Sequence, residues 1–220
     1  MANSINVNAG ALVALQNLNA TNKALQTTQN RVSTGLKVAN AKDSGAIFAI
    51  ATNQRAEMGA LNAVMQSQQR GQSIVDVALA AGDTVVAALT EMKALAVGIE
   101  AGGSTATVAA LQADYDALQL EIDKALAGAN SDGANLWTDG AVTAVITDTA
   151  GATFDIGLAA ASDGTPAAAT AAGVQAAIEA FTADLGTLGT QSKSLERQVT
   201  FTAKLQDAIE VGIGNLVDAD

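Results

Sequence analysis

A long run of apolar residues at alternating three- and four-residue spacing occupies the C-terminal quarter of this chain. From Val174 to Leu216, thirteen consecutive positions follow the spacing and ten of them are apolar. Residues repeated in this way line one side of an α-helix, and a pattern sustained beyond three heptads is typical of coiled coils and helical bundles. We therefore predict a long helix that packs through a set that includes Ile178, Phe181, Leu185, Leu188, Leu195, Val199, Ile209, Ile213 and Leu216.

A second, weaker seam of the same spacing lies near the N-terminus. Two of its seven positions are polar, Asn22 and Gln29, and such residues weaken a coiled coil while fixing its register. A helix of this kind is marginally stable alone, so the seam predicts a surface that pairs with another helix. Its members are Leu15, Leu18, Asn22, Leu25, Gln29, Val32 and Leu36.

The segments between the two seams predict two more helices and a small sheet. Helical spacing runs over about 46–99 and again over 105–128, where Ser104 or Thr105 is a suitable N-cap. Strict alternation over 142–147 and 152–158 predicts two strands joined by a short turn, within a hairpin region at about 137–160. The expected fold is mainly α: a long antiparallel coiled coil or helical bundle with a small β-hairpin.

Two local features qualify this picture. The polar stretch 66–72 interrupts the apolar stripe of the second helix, which predicts a kink or a surface that meets another subunit. Thr165 and Pro166 have the sequence of an N-cap followed by a first-turn proline, so we expect the last helix to begin there.

The composition argues against catalysis and against nucleic-acid binding. Histidine and cysteine are both absent, which removes the commonest general base, metal ligands and thiol nucleophile, so we expect no enzyme activity, cofactor or metal. Acidic residues outnumber basic ones 22 to 11, and the basic residues do not cluster. We also expect no cleaved signal peptide and no uncharged apolar run long enough to span a membrane.

Hydroxyl side chains are frequent around the predicted hairpin. Solvation of a loop explains them adequately, and surface O-glycosylation is the alternative. The candidates for modification are Thr143, Thr147, Thr149, Thr153 and Ser162.

Several ordered motifs make the sequence similar to a bacterial flagellin of the short alphaproteobacterial type, the subunit of the flagellar filament. The resemblance covers nearly the whole chain. The motifs that carry it are residues 2–8, Leu15–Asn19, Arg31–Lys37, Ala39–Ile50, Arg70–Leu79, Gly133–Gly140, Lys204–Asp207 and Gly214–Asp220.

The resemblance implies a secreted structural protein that confers motility and self-assembles through its terminal helices after type III export. It implies a filament-core segment at 1–42, a helical core domain at 43–220 and no outer variable domains. Implied partners are other flagellin subunits, the export apparatus with its chaperone, and the hook-associated and cap proteins. A hook–filament junction protein is the nearest alternative, and a cytosolic coiled-coil adaptor is a more distant one.

The sequence departs from the family pattern at its end. Family members continue past the motif that matches Val217–Asp220 into an amphipathic helix that pairs with the N-terminal one. We therefore expect a chain truncated before that helix, whose N-terminal seam lacks its intramolecular partner. Alone, it is expected to stay largely monomeric with a frayed N-terminal segment.

The sequence also departs at the segment that faces an innate immune receptor in the family. Flagellins recognised by Toll-like receptor 5 carry an Arg-x-Arg-Glu-Leu stretch, where this chain has Glu91, Lys93 and Leu95 at the corresponding positions. One charge is reversed and another contact is lost, which weakens a charged interface. We expect weak recognition by this receptor.

Overall fold

The computed structural model describes residues 8–138 and 140–219. In chain order the elements are α1 (Ala9–Thr34), α2 (Gly45–Ala101), α3 (Thr105–Gly128), β1 (Val142–Ile146), β2 (Thr153–Gly157) and α4 (Ala171–Val217). The mainly helical class with one small hairpin is therefore confirmed. The motif at residues 2–8 lies almost entirely outside the described residues, as do Asp139 and Asp220.

The chain divides into two compact units. The terminal unit contains the chain up to Gly59 together with the chain from Leu205 onward, and the central unit is Ala60–Lys204. The predicted boundary between residues 42 and 43 separates a filament-core segment from the helical core domain. The structure of a single chain does not test that boundary, so it stays a prediction.

The ends of two helices show how local chemistry sets their limits. The Ser104 side chain accepts a hydrogen bond from the Thr107 amide at 3.2 Å, so α3 begins as predicted. The prediction that the last helix begins at Pro166 is wrong. The Thr165 amide donates to the Asp163 carboxylate and its hydroxyl contacts Gln119 of α3, whereas the Thr170 hydroxyl accepts from the Gly173 amide and caps α4.

Helices α2 and α4 run antiparallel in the central unit. Gly71 of α2 lies against Leu195 of α4, and further along α2 Gly82 lies against Leu185, so position numbers rise on one helix as they fall on the other. Small residues at these crossings allow the backbones to approach closely. Most of the large, fully buried side chains of this core are aliphatic, with one methionine: Val75, Val85, Leu89, Met92, Ile122, Leu188 and Leu195. The core also contains one aromatic stack, of Trp137 on Phe181.

The β-hairpin packs on this helical core. Its antiparallel register pairs Thr143 with Ile156 and Val145 with Phe154, which places buried Val145 and Ile156 on the same side of the sheet. A two-stranded hairpin is not stable by itself. Here the Gln191 side chain of α4 both accepts from the Gly157 amide and donates to its carbonyl, each at 2.9 Å, so α4 holds one end of β2.

One stretch of α2 bears on the expectation that no uncharged apolar run is long enough to span a membrane. An 18-residue window in α2 has a mean hydropathy of 1.6 and is long and apolar enough to cross a membrane, by length and composition only. Only 39% of that window is buried. The most apolar part of α2 carries the exposed carboxylates Asp76 and Asp83 and also supplies Val75 and Leu89 to the core, so core packing accounts for its hydropathy.

Candidate subunit-packing surfaces

Helix α1 presents its entire apolar seam to solvent. No residue of the helix is buried, and Leu18 and Val32 are 56% and 80% exposed. Asn22 and Gln29 are exposed as well. Nothing in the described part of the chain covers this surface, which makes it the largest unpartnered apolar stripe among the helices: Leu15, Leu18, Leu25 and Val32, with Leu12 and Val13 beside it.

Capping at both ends stabilises α1 in place of packing. The Asn8 side chain accepts from the Ala11 amide at 3.1 Å, which satisfies one of the free donors of the first turn. At the other end Gly35 adopts φ 69°, a left-handed conformation that glycine adopts without strain, and its amide donates to the Arg31 carbonyl. These caps are worth about 1 kcal/mol each, too little to replace a buried face.

Leu36 does not belong to the α1 seam, and its assignment there is wrong. The helix ends at Thr34, and the left-handed Gly35 turns the chain so that Leu36 packs with a small cluster formed by Val38, Ala51, Ile213 and Val217. The Lys37 amide donates to the Val217 carbonyl at 2.7 Å, and the Ala219 amide donates to the Gly35 carbonyl at 2.9 Å. The turn after α1 is thus tied to the end of α4 within the terminal unit.

The predicted seam of α4 contributes to both cores. In the central unit Phe181, Leu188 and Leu195 are fully buried, and Ile178 and Leu185 pack against them while half-buried. In the terminal unit Ile213 is buried, with Ile209 and Leu216 packed beside it. Val199 is half-buried. These positions are therefore mainly core positions of one chain; whether any also contacts another subunit stays a prediction.

The polar stretch of α2 lies within one continuous helix, and one of its polar side chains is buried inside the chain; whether its exposed part meets another subunit stays a prediction. The helix continues unbroken from Gly45 to Ala101, and Gln68 is fully buried, where its Oε1 accepts from the Thr202 hydroxyl of α4 at 3.2 Å. Arg70 forms an exposed ion pair with Asp132. The sequence showed that the stretch is polar, but it did not show that Gln68 pairs with Thr202 of α4.

Trp137 anchors the segment before the hairpin to the helical core. Its ring stacks on Phe181 with centroids 4.3 Å apart, and its Nε1 donates to the Ala78 carbonyl at 2.9 Å. Buried tryptophan usually needs such a partner for its N–H. A single tryptophan beside a predicted hairpin was the signal for its position, but its partners lie on two distant helices.

The segment expected to face the receptor lies on α2 in the central unit. Glu91 is exposed, whereas Leu95 is half-buried against the core. Lys93 is also half-buried, and its Nζ donates to Gln175 Oε1 of α4 at 2.6 Å. The only cation of the segment is therefore already engaged within the chain.

The candidate hydroxyls differ in their availability. Thr149 and Thr153 are exposed at the turn of the hairpin. The Thr147 hydroxyl instead donates to the Ala152 carbonyl at 3.1 Å, and Thr143 and Ser162 are half-buried. Only Thr149 and Thr153 combine exposure with a hydroxyl that makes no hydrogen bond within the described chain.

Titratable groups form no obvious reactive centre. Among the described residues no group of three acidic side chains could hold a metal ion. The pKa of Tyr115 is raised, first by burial and second by the nearby charge of Asp116. The Tyr115 hydroxyl is buried without a hydrogen-bond partner in the described chain, so the shift follows mainly from packing in the core.

Comparison with known proteins agrees with this architecture. The profile of the bacterial flagellin N-terminal helical region matches residues 5–143. The chain is 46% identical to flagellin FljK and 45% identical to flagellin FljM of Caulobacter vibrioides, over 99% of this chain and 85% of each relative. It is 32% identical to a flagellin of Brucella melitensis, over 99% of this chain and 86% of that protein.

An antiparallel helical bundle with a capped, solvent-facing apolar helix defines a structural protein that assembles with copies of itself. The chain belongs to the bacterial flagellin family, here of the short alphaproteobacterial type. It is a structural subunit of the bacterial flagellar filament, is exported to that filament, and is not an enzyme. The relatives reported above are all flagellins, so a hook–filament junction protein is not favoured.

Proposed function

We propose that the exposed seam of α1 is the surface through which this subunit joins the inner part of the filament. The observation that carries the proposal is the exposure of Leu15, Leu18, Leu25 and Val32 on a helix that is nevertheless capped at both ends. Burying one such side chain contributes about 1.5–3 kcal/mol, so covering the stripe favours assembly strongly. Residues 1–42 then form the filament-core segment and residues 43–220 the domain around it.

The test is incorporation into filaments of a flagellated alphaproteobacterial host that also makes its own flagellins. Leu18→Glu with Leu25→Glu places two charges on the seam. Ala20→Glu with Thr27→Glu places the same two charges, at the same seven-residue spacing, on the opposite side of the same exposed helix. We expect the unmodified chain and the control variant in sheared filaments, and the seam variant at least about tenfold depleted.

Two results contradict the proposal. The unmodified chain is absent from sheared filaments although it reaches the medium, or the seam and control variants enter filaments equally. Far-UV circular dichroism of each purified variant checks that the fold is retained.

The partners of this subunit follow from the same proposal. Export through the type III apparatus with a dedicated chaperone, and contact with hook-associated and cap proteins, accompany a filament role. Loss of the chain from the medium when the export apparatus is inactivated tests the first of these. Secretion that does not depend on the apparatus contradicts it.

Recognition by Toll-like receptor 5 is proposed to be weak. The exposed Glu91 brings a negative charge, and the half-buried Lys93 is already bonded to Gln175. A receptor reporter assay with the monomeric chain should give a poor response compared with an activating flagellin. A strong response contradicts this part of the proposal.

Loop solvation remains the simpler explanation of the hydroxyl-rich hairpin. If the filament is O-glycosylated, the exposed Thr149 and Thr153 are the proposed acceptors, because the hydroxyl of Thr147 is already bonded to Ala152. Mass spectrometry of the filament protein decides between the two, since glycan mass on any other hydroxyl contradicts the assignment.

A further inference from the structure

A basic stripe with an aromatic residue at its centre runs along the exposed side of α4 in the central unit. Arg197, Phe201 and Lys204 occupy positions i, i+4 and i+7, which bring them to one side of the helix. Phe201 is 66% exposed, and neither cation forms an ion pair within the described residues. An exposed phenylalanine between two unpaired cations offers a surface that a complementary apolar and acidic surface would cover.

An acidic stripe of the same design runs along α3. Asp114, Leu118 and Glu121 also occupy positions i, i+4 and i+7, and both carboxylates are exposed without an ion-pair partner in the described chain. Leu118 is half-buried at the floor of a groove between α2 and α3. The groove has a volume of about 500 Å³, and Leu95, Ala94 and Ala117 complete its apolar lining, with Glu91 as a third carboxylate at the rim.

The two stripes match in spacing and are opposite in charge. In each, the outer charges are seven residues apart, or about 10 Å along a helix, with the apolar residue between them. When the helices are aligned parallel, all three positions coincide: Arg197 faces Asp114, Phe201 faces Leu118 and Lys204 faces Glu121.

We propose that the basic stripe of one subunit docks on the acidic groove of a second copy of this chain. The proposal rests on the filament role proposed above and adds a specific contact to it. The two stripes are different surfaces, so the contact is heterologous, and heterologous contacts generate open-ended assemblies rather than closed pairs. The central unit has six basic and sixteen acidic residues, so a concentrated basic stripe also offsets repulsion between acidic copies.

Cysteine cross-linking tests the contact directly, because the chain has no cysteine of its own. One batch carries Phe201→Cys, and a second, mass-tagged batch carries Ala117→Cys, which is exposed beside Leu118. Under air oxidation at high protein concentration we expect the mixed disulfide dimer at least about tenfold above the yield with Ala80→Cys, an exposed position on α2.

Charge reversal provides a second test of the same contact. Arg197→Glu with Lys204→Glu in the first batch should reduce the dimer to the control level, and Asp114→Lys with Glu121→Lys in the second batch should restore it. The matched control is Asp76→Lys with Asp83→Lys in the second batch, which makes the same change in net charge at the same seven-residue spacing on exposed, unpaired positions of α2. That control should not restore the dimer.

A yield with Ala117→Cys no higher than with Ala80→Cys overturns the contact, and so does restoration by the Asp76 and Asp83 control. The assay needs no filament, so its outcome is separate from that of the incorporation test. A chain that enters filaments but gives no specific dimer contradicts this contact alone. A specific dimer from a chain that never enters filaments contradicts the filament role alone.

Discussion

Gly82 has no side chain, and this leaves room for the side chains of Leu185 and Trp137. A Cβ at this position would overlap the Leu185 side chain and come within 3.1 Å of the Trp137 ring. Overpacking of this kind costs about 1–3 kcal/mol, while replacing a helical glycine by alanine contributes about 1 kcal/mol. We expect Gly82→Ala to lower the free energy of unfolding by about 1 kcal/mol in a urea titration.

The matched control for this substitution is Gly186→Ala, on α4 of the same unit, where a Cβ meets nothing within 4 Å. Without a clash only the gain in helix propensity remains, so this variant should be more stable by up to about 1 kcal/mol. Equal effects of the two substitutions would show that Gly82 is not required for close packing.

Tyr115 gives the core a dependence on alkaline pH. Burial, with a smaller effect of Asp116, raises the pKa of its phenol above the ordinary value of about 10. Above that pH the unfolded chain releases the phenolic proton before the folded chain does, so stability decreases as pH rises. Because Tyr115 is the single tyrosine, its ionisation can be followed by the near-ultraviolet absorbance of tyrosinate.

We expect Tyr115→Phe to lose less stability than the unmodified chain above pH about 10 and to match or slightly exceed its stability at neutral pH. The neutral-pH expectation follows because the buried hydroxyl has no hydrogen-bond partner to lose. The same alkaline loss in both proteins would contradict the account.

At the scale of elements, α2 and α4 are joined by one buried polar pair within an apolar interface. Thr202→Val leaves the Gln68 carbonyl without its donor, and the Gln68 amide nitrogen already lacks a protein partner. An unsatisfied buried polar group costs about 1–3 kcal/mol. We expect the single variant to be destabilised by that amount, as measured by urea titration.

Replacing both members of the pair should reverse this loss. Gln68→Leu combined with Thr202→Val removes both polar groups, which is commonly neutral or stabilising. A double variant less stable than Thr202→Val alone would show that the pair contributes more than it costs.

The sequence predicted the elements whose signal is local and left out those that depend on distant partners. Three-four spacing found the helices, strict alternation found the hairpin, and Ser104 marked the start of α3. The beginning of α4 was misplaced because Thr165 and Pro166 resemble a cap, yet Asp163 and Gln119 bind Thr165. Gln68 was taken for a surface residue because its partner, Thr202, is 134 residues away.

The candidate surfaces were likewise predicted where their signal is local and missed where it depends on the fold. The α1 seam was found from spacing, except that Leu36 was included because the pattern continues through Gly35. Only the left-handed turn at Gly35 sends Leu36 to a different cluster. The exposure of the basic and acidic stripes of the central unit became evident only when burial was known for each residue.

For the whole molecule, charge is distributed unevenly along the chain. Residues 1–59 contain five basic and two acidic residues, whereas the rest contains six basic and twenty acidic ones. Helix α1 carries Lys23 and Arg31 and no acidic residue. The exposed apolar seam therefore lies on the most basic helix of an acidic protein, which favours association with other copies at moderate ionic strength.

Hydrogen exchange of α1 tests the central claim most directly, that its apolar seam becomes buried when subunits assemble. In the soluble chain we expect the amides of Ala9–Thr34 to exchange faster than those of the buried parts of α2 and α4, because no part of the chain that the structure describes covers the helix. In chain recovered from sheared filaments the same amides should be strongly protected. Equal exchange of α1 in the soluble and filament states, or strong protection already in the soluble chain, would contradict the account.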